Sequence, residues 1–136
     1  MAIESVNYTT YAEAVFIHLR LMKMIGETRC GVDYRSLIES ALARLQQAAT
    51  YENADLIRQA ATLYFGLIKN HPWLGGNKRT ATAIVDDFFR RNGYEIKVSV
   101  QGIVGLVLAI ESDKFDVDEI ENWLREKTFP LSQLNR

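Results

Sequence analysis

The sequence predicts an all-α fold of about six helices in one domain, and three observations lead there. Apolar residues recur at three- and four-residue intervals through most of the chain. The interruptions fall at glycine, asparagine or aspartate, the residues that cap or stop helices. Only one short stretch, Tyr94 to Val98, alternates apolar with charged residues as a strand would. With 136 residues, 48% apolar and 2 prolines, the chain is sized for a single domain, 1–136, with its own core.

The first helix is expected over Tyr8 to Ile25, with Tyr11, Val15, Leu19 and Met22 on one face and Gly26 at the C-terminal cap. Asp33 is a candidate cap for a second, in which Leu37, Ala41 and Leu42 share a face and which fades by about Gln47. Asp55 starts a third, whose run from Leu56 to Ile68 is apolar nearly all round, and this places it at the centre of the domain. A fourth follows the loop at 71–76, with Ala81, Ile84, Val85, Phe88 and Phe89 at helical spacing and Asn92-Gly93 as its stop. Asp86 and Asp87 precede Arg90 and Arg91 by four residues, the spacing of helix-surface ion pairs. Ser99 caps a fifth helix through Leu106 to Ile110, and a sixth, amphipathic helix runs from about Val117 to Lys127. Phe129 to Arg136 reads as a loose tail.

Bulk properties narrow the function. A net charge of -1 and a pI near 6.1 give no field for sequence-independent binding of nucleic acid. No stretch reaches the roughly 18 apolar residues of a membrane span, and the first residues lack the basic and apolar regions of a secretory signal. Cys30 is the only cysteine, which excludes an internal disulfide and a cysteine metal cluster. The expectation is a cytoplasmic protein without direct nucleic-acid or membrane contact.

Chemistry concentrates in His71-Pro72-Trp73-Leu74-Gly75-Gly76-Asn77-Lys78-Arg79-Thr80. Gly75 and Gly76 let the backbone turn its amides inward, and a helix start adds unpaired N–H groups and the positive end of a dipole. Asn77 is placed to cap that helix and fix the loop. Arg79 can meet phosphate oxygens with its planar fork, while Lys78 supplies a mobile point charge. His71, at the end of the preceding helix, stands where an imidazole can take a proton from an attacking hydroxyl. Each part alone also has an ordinary explanation, as an interhelical turn or a solvated face, and it is the combination that points to phosphate handling. His18, at helical spacing from Val15 and Met22, reads as a partly buried helix residue without a chemical role.

On these residues the chain resembles the Fic/Doc (Fido) family, whose motif reads His-x-Phe-x-acid-Gly/Ala-Asn-Gly/Lys-Arg. The Lys78-Arg79-Thr80-Ala81 ending is similar to the death-on-curing (Doc) toxin branch, and so is Thr82, where adenylylating members commonly carry a second arginine. The likeness extends over Gly31 to Asn77 and over Phe88 to Gly93. It implies a helical domain whose loop holds ATP and whose histidine activates a hydroxyl on a protein. In the Doc branch that hydroxyl belongs to a threonine of elongation factor Tu, and phosphorylation stops translation. Carried over, His71 is the general base, Gly75, Gly76 and Asn77 belong to the anion site, Lys78 and Arg79 bind phosphates, and Trp73 anchors the loop in place of phenylalanine. About Leu45 to Asn53 resembles the family's hairpin-like flap, which docks the target by strand addition.

The acidic place of the motif, where the family holds magnesium, is Gly75. The metal is then expected to bind mainly through phosphates, and Gly75→Asp is expected to raise magnesium-dependent activity. Asp86 and Asp87 lie roughly 14 Å further along the helix and do not replace that acid. The family's inhibitory signature, Ser/Thr-x-x-x-Glu-Gly/Asn, has no instance, since Glu13 is followed by Ala14. Control is therefore expected in trans, from a small Phd-like antitoxin whose disordered segment folds onto the toxin. Three readings stand at this stage: a Doc-like kinase, a pseudoenzyme of the same fold, and a helical interaction module.

Overall fold

The computed structural model describes residues 5–131, which form α1 (Tyr11–Ile25), α2 (Arg35–Tyr51), α3 (Leu56–Asn70), α4 (Asn77–Arg90), β1 (Tyr94–Ile96), α5 (Val100–Glu111), α6 (Val117–Lys127) and β2 (Thr128–Pro130). Helix α3 is the axis. It packs against α2, α4, α5 and α6, while α1 lies on α4. Ala60, Ala61, Leu63, Tyr64, Leu67 and Ile68 of α3 are all fully buried, as a nearly all-apolar helix requires.

Most helix starts follow their capping signals. Thr10 with Glu13, and Asp116 with Glu119, form capping boxes; Asp55 accepts from the Arg58 amide and Ser99 from the Gly102 amide. The pair Asp86–Arg90 forms on the surface of α4, and Asp87–Arg91 forms beside α1, where Arg91 also reaches Glu13.

Four local expectations are corrected. The Asp33 side chain does not cap α2, whose N-cap is Tyr34 without a side-chain bond; the backbone amides of Asp33 and Tyr34 instead both donate to the Pro72 carbonyl, so the start of α2 is tied to the motif loop. Second, α2 does not fade at Gln47, and no hairpin-like flap occupies 45–53. Leu45 and Ala48 continue the stripe of Ile38, Ala41 and Leu42, so the helix gains burial by running on to Tyr51. Third, the inward face of α1 is Ala14, His18 and Met22, whereas Leu19 is 46% exposed, because the crowded contact with α4 takes a small residue and a hydrogen-bonded histidine. Fourth, the tail is not loose where it is described. Thr128, Phe129 and Pro130 pair antiparallel with Ile96, Glu95 and Tyr94, supplying the ladder partner that β1 needs; residues 132–136 lie outside the described residues.

Candidate active site at the start of α4

His71 ends α3 in the left-handed conformation (φ 46, ψ 57), which costs a non-glycine residue on the order of 1 kcal/mol and turns the chain sharply into the loop. The imidazole is exposed and takes no hydrogen bond among the described residues. Trp73, 2% exposed, anchors the turn into α4: its amide donates to the Asn77 Oδ1 and its carbonyl accepts from the Asn77 Nδ2, both at 3.0 Å. Asn77 therefore fixes the loop but does not cap α4. The N-cap is Gly76, with no side-chain bond, so no capping group competes for the first amides of α4. Gly76 is required by its φ of 65; a Cβ there would also meet the flexible end of the Met22 side chain.

The loop is also held from behind. Val32 and Trp73 form a bridge, and the Leu74 amide donates to the Gly31 carbonyl. His18, fully buried, stacks on the Trp73 ring with centroids 4.3 Å apart. Its Nε2 accepts from the Gly31 amide at 2.9 Å, which leaves the proton on Nδ1 to donate to Thr80 Oγ1 at 2.8 Å. The expected bystander is thus a structural post linking α1, the α1–α2 loop and α4. Burial pushes its pKa below the ordinary histidine value. A depressed histidine pKa gives stability that is complete above about pH 6.5 and is lost as pH falls toward the folded-state value, since the unfolded chain takes the proton first. Thermal unfolding between pH 7 and 5 should therefore show a falling midpoint, and His18→Gln, whose amide oxygen can still accept from Gly31, should flatten that limb.

The pocket beneath this loop has a volume of about 520 Å³ and is lined by Ile25, Glu27, His71, Gly76, Asn77, Lys78 and Arg79. The structure thus brings the histidine, the helix start and both cations together. Gly75 is not in the lining. The two cations also differ: Lys78 Nζ is held 3.1 Å from both oxygens of Glu111, at the end of α5, while Arg79 is exposed and enters no ion pair among the described residues. Thr82 carries no charge to the site; its hydroxyl donates to the Lys78 carbonyl at 3.0 Å and lies 2.5 Å from the buried Tyr64 hydroxyl, whose pKa burial pushes up to about 12. An apolar groove of about 550 Å³, including Ile96, Val98, Ile103 and Val107, adjoins the pocket and shares Lys78 and Arg79 with it.

Position 75 is closed. A Cβ there would overlap the Arg29 carbonyl oxygen, which is backbone and cannot swing aside. The expected gain from Gly75→Asp is therefore withdrawn. That variant should lose about 1–3 kcal/mol to overpacking and show no stronger magnesium-dependent nucleotide binding, as thermal denaturation and nucleotide titration would reveal. Among the described residues no three of His, Cys, Asp and Glu gather into a metal cage. The pocket lining, one exposed carboxylate, Glu27, beside two cations, does not make a protein site for magnesium, so the metal would be held by the nucleotide's phosphates and water. Sequence reasoning missed Glu27 and Glu111, and no spacing rule pointed to either.

Residues 8–89 match the family model described as Fic/DOC family. No curated protein was found to match the chain. Among solved structures, BepC, a VirB-translocated effector of Bartonella tribocorum with bound AMPPNP, is 12% identical with a TM-score of 0.58, over 95% of this chain and 80% of that one. The N-terminal Fic domain of a VirB-translocated Bep effector from Bartonella quintana is 19% identical (TM-score 0.50), over 72% of this chain and 49% of that one. The same domain with bound ADP is 20% identical (TM-score 0.50), over 77% and 54%. The chain thus spans about half the length of the B. quintana chains. The likeness is one of fold, while the family match covers most of the chain and includes the whole motif loop: the chain belongs to the Fic/DOC family.

Proposed function

We propose that the chain is a Doc-like toxin kinase, which moves the γ-phosphoryl group of ATP to a threonine hydroxyl of a translation factor such as elongation factor Tu. The observation that carries this reading is one pocket lined by His71, by the uncapped start of α4 and by Arg79, which has no ion-pair partner among the described residues. ADP in one structural neighbour and AMPPNP in another support a nucleotide as the substrate.

Each of these residues has its own share of the work. The His71 imidazole takes the hydroxyl proton as the threonine oxygen bonds to the γ-phosphorus and the bond to the β–γ bridging oxygen breaks, releasing ADP. The first amides of α4 and the Arg79 guanidinium face the charge on the phosphoryl oxygens, fixed in advance by the Asn77–Trp73 clasp. Lys78 reaches phosphate only by sharing or leaving Glu111. The adjoining apolar groove suits the base. Magnesium, when bound, neutralises phosphate charge.

A second reading, a pseudoenzyme that keeps the fold and the pocket, is favoured by the closure at Gly75. Adenylyl transfer is the third outcome, with attack at the α-phosphorus from the same base. The toxin reading carries with it a cytoplasmic location and a Phd-like antitoxin, supported by Phe16 and Met24, exposed at 63% and 73% beside a groove between α1 and α4. Incubation with labelled ATP, magnesium and elongation factor Tu, followed by intact mass measurement, decides among the three. Gain of phosphate supports the kinase, gain of a nucleotide the adenylyltransferase, and no gain the pseudoenzyme.

A further inference from the structure

The groove beside the phosphate pocket is apolar except at four side chains. Leu21, Ile25, Ile96, Val98, Ile103 and Val107 are among its apolar walls, and Lys78, Arg79, Thr82 and Asp86 are its polar lining. Lys78 and Arg79 also line the phosphate pocket, so they mark the end where the two spaces join. The Thr82 hydroxyl is occupied, donating to the Lys78 carbonyl and meeting the Tyr64 hydroxyl. Asp86 is not. Arg90 Nε donates to its Oδ2 at 2.9 Å, while Oδ1 takes no hydrogen bond among the described residues. Away from its two cations, the groove thus offers one open, negatively charged acceptor and no free side-chain donor.

A ligand that suits these walls is anionic at one end and apolar at the other, with a hydrogen-bond donor on the apolar part. Asp86 follows Arg79 by seven residues on α4, roughly 10 Å at about 1.5 Å per residue. That separation is comparable with the reach from a purine ring to the phosphates of the same nucleotide. The exocyclic amine of adenine brings the donor that Oδ1 lacks, and a bond to an ionised acceptor is among the stronger hydrogen bonds. A base with a carbonyl at that ring position would set an unpaired oxygen in the groove, where no donor meets it. We propose that the groove takes the adenine ring and that Asp86 is the residue that selects it, its Oδ1 accepting from the exocyclic amine. The proposal rests on the nucleotide reading of the phosphate pocket given above.

The test is titration of ATP and of purine riboside triphosphate, in which hydrogen replaces that amine, into the parent protein and into Asp86→Ala. Alanine keeps the helix and removes the acceptor. The parent should bind ATP about tenfold tighter than the analogue, the scale of one charge-assisted contact. In Asp86→Ala that ratio should fall toward one, chiefly because ATP weakens. A merely structural Asp86 would change both ligands alike and keep the parent's ratio, which overturns the proposal. A parent that binds both ligands equally also overturns it, and leaves the nucleotide reading standing. A parent that binds neither removes the nucleotide reading and the proposal with it. A second measurement needs no variant: bound ATP should show intermolecular NOEs between its adenine ring protons and the methyls of Ile96 and Ile103, and a bound ring without them lies elsewhere and overturns the proposal.

Discussion

Replacing His71 by alanine should lower phosphoryl transfer by roughly 10²–10⁴-fold, the range of general-base contributions, while ATP affinity changes by less than about threefold. The imidazole is exposed and bonds to nothing among the described residues, so its removal creates no cavity and leaves no partner stranded. On the proposed reading binding falls instead to Arg79, Lys78 and the start of α4, which line the pocket and which the substitution does not touch. The left-handed backbone at 71 is the one complication, because alanine is less at ease there than histidine. His71→Asn, whose residue type tolerates that conformation, separates the two effects: it should be as inactive as alanine while matching the parent in thermal stability. Labelled transfer beside nucleotide titration gives both numbers, and an alanine variant as active as the parent would remove His71 from the role of base.

The largest stability effect is expected at Trp73. Its ring is buried against His18, and its backbone is clasped by Asn77 and bridged to Val32, so three segments meet on one residue. Trp73→Ala should cost about 3–5 kcal/mol through lost burial and an unfilled cavity, lowering the unfolding midpoint by more than about 10 °C. The indole Nε1 is buried with no acceptor among the described residues. Trp73→Phe therefore sheds an unpaired donor while keeping an aromatic face for His18, and should lose far less. Thermal denaturation of the two variants is the check; an alanine variant within a few degrees of the parent would show that the loop does not depend on this anchor.

How much of the fold and the site was legible depends on the distance along the chain over which each feature is decided. α6 starts and stops where its amphipathic pattern and capping box place it, and the buried set of α4 is the predicted one with Thr80 added, since caps and periodicity act within a few residues. The left-handed glycine at 76 and the gathering of cations around it follow from the same local rules. What escaped is what sequence-distant partners settle. Tyr94–Ile96 showed its alternation, but its partner strand lies more than thirty residues later and looked like a tail. The helical course of 45–51 is decided by the face of α3 that buries Leu45 and Ala48. The family's flap misled here because a resemblance transfers a shape without the contacts that enforce it. Likewise Lys78 and Arg79 are neighbours with the same charge, yet a carboxylate 33 residues away makes one a tethered group and leaves the other open.

That tether has a kinetic consequence. Lys78 and Arg79 stand with Glu27 and, just beyond the lining, Glu111, and these four side chains sum to no net charge. On the nucleotide reading proposed above, a polyanionic nucleotide is expected to arrive by ordinary diffusion, with an association rate that hardly responds to ionic strength. Discrimination passes to residence time: a ligand stays only if its phosphates can hold the open arginine and the helix start while Lys78 changes partners, and poorer anions leave before that exchange is made.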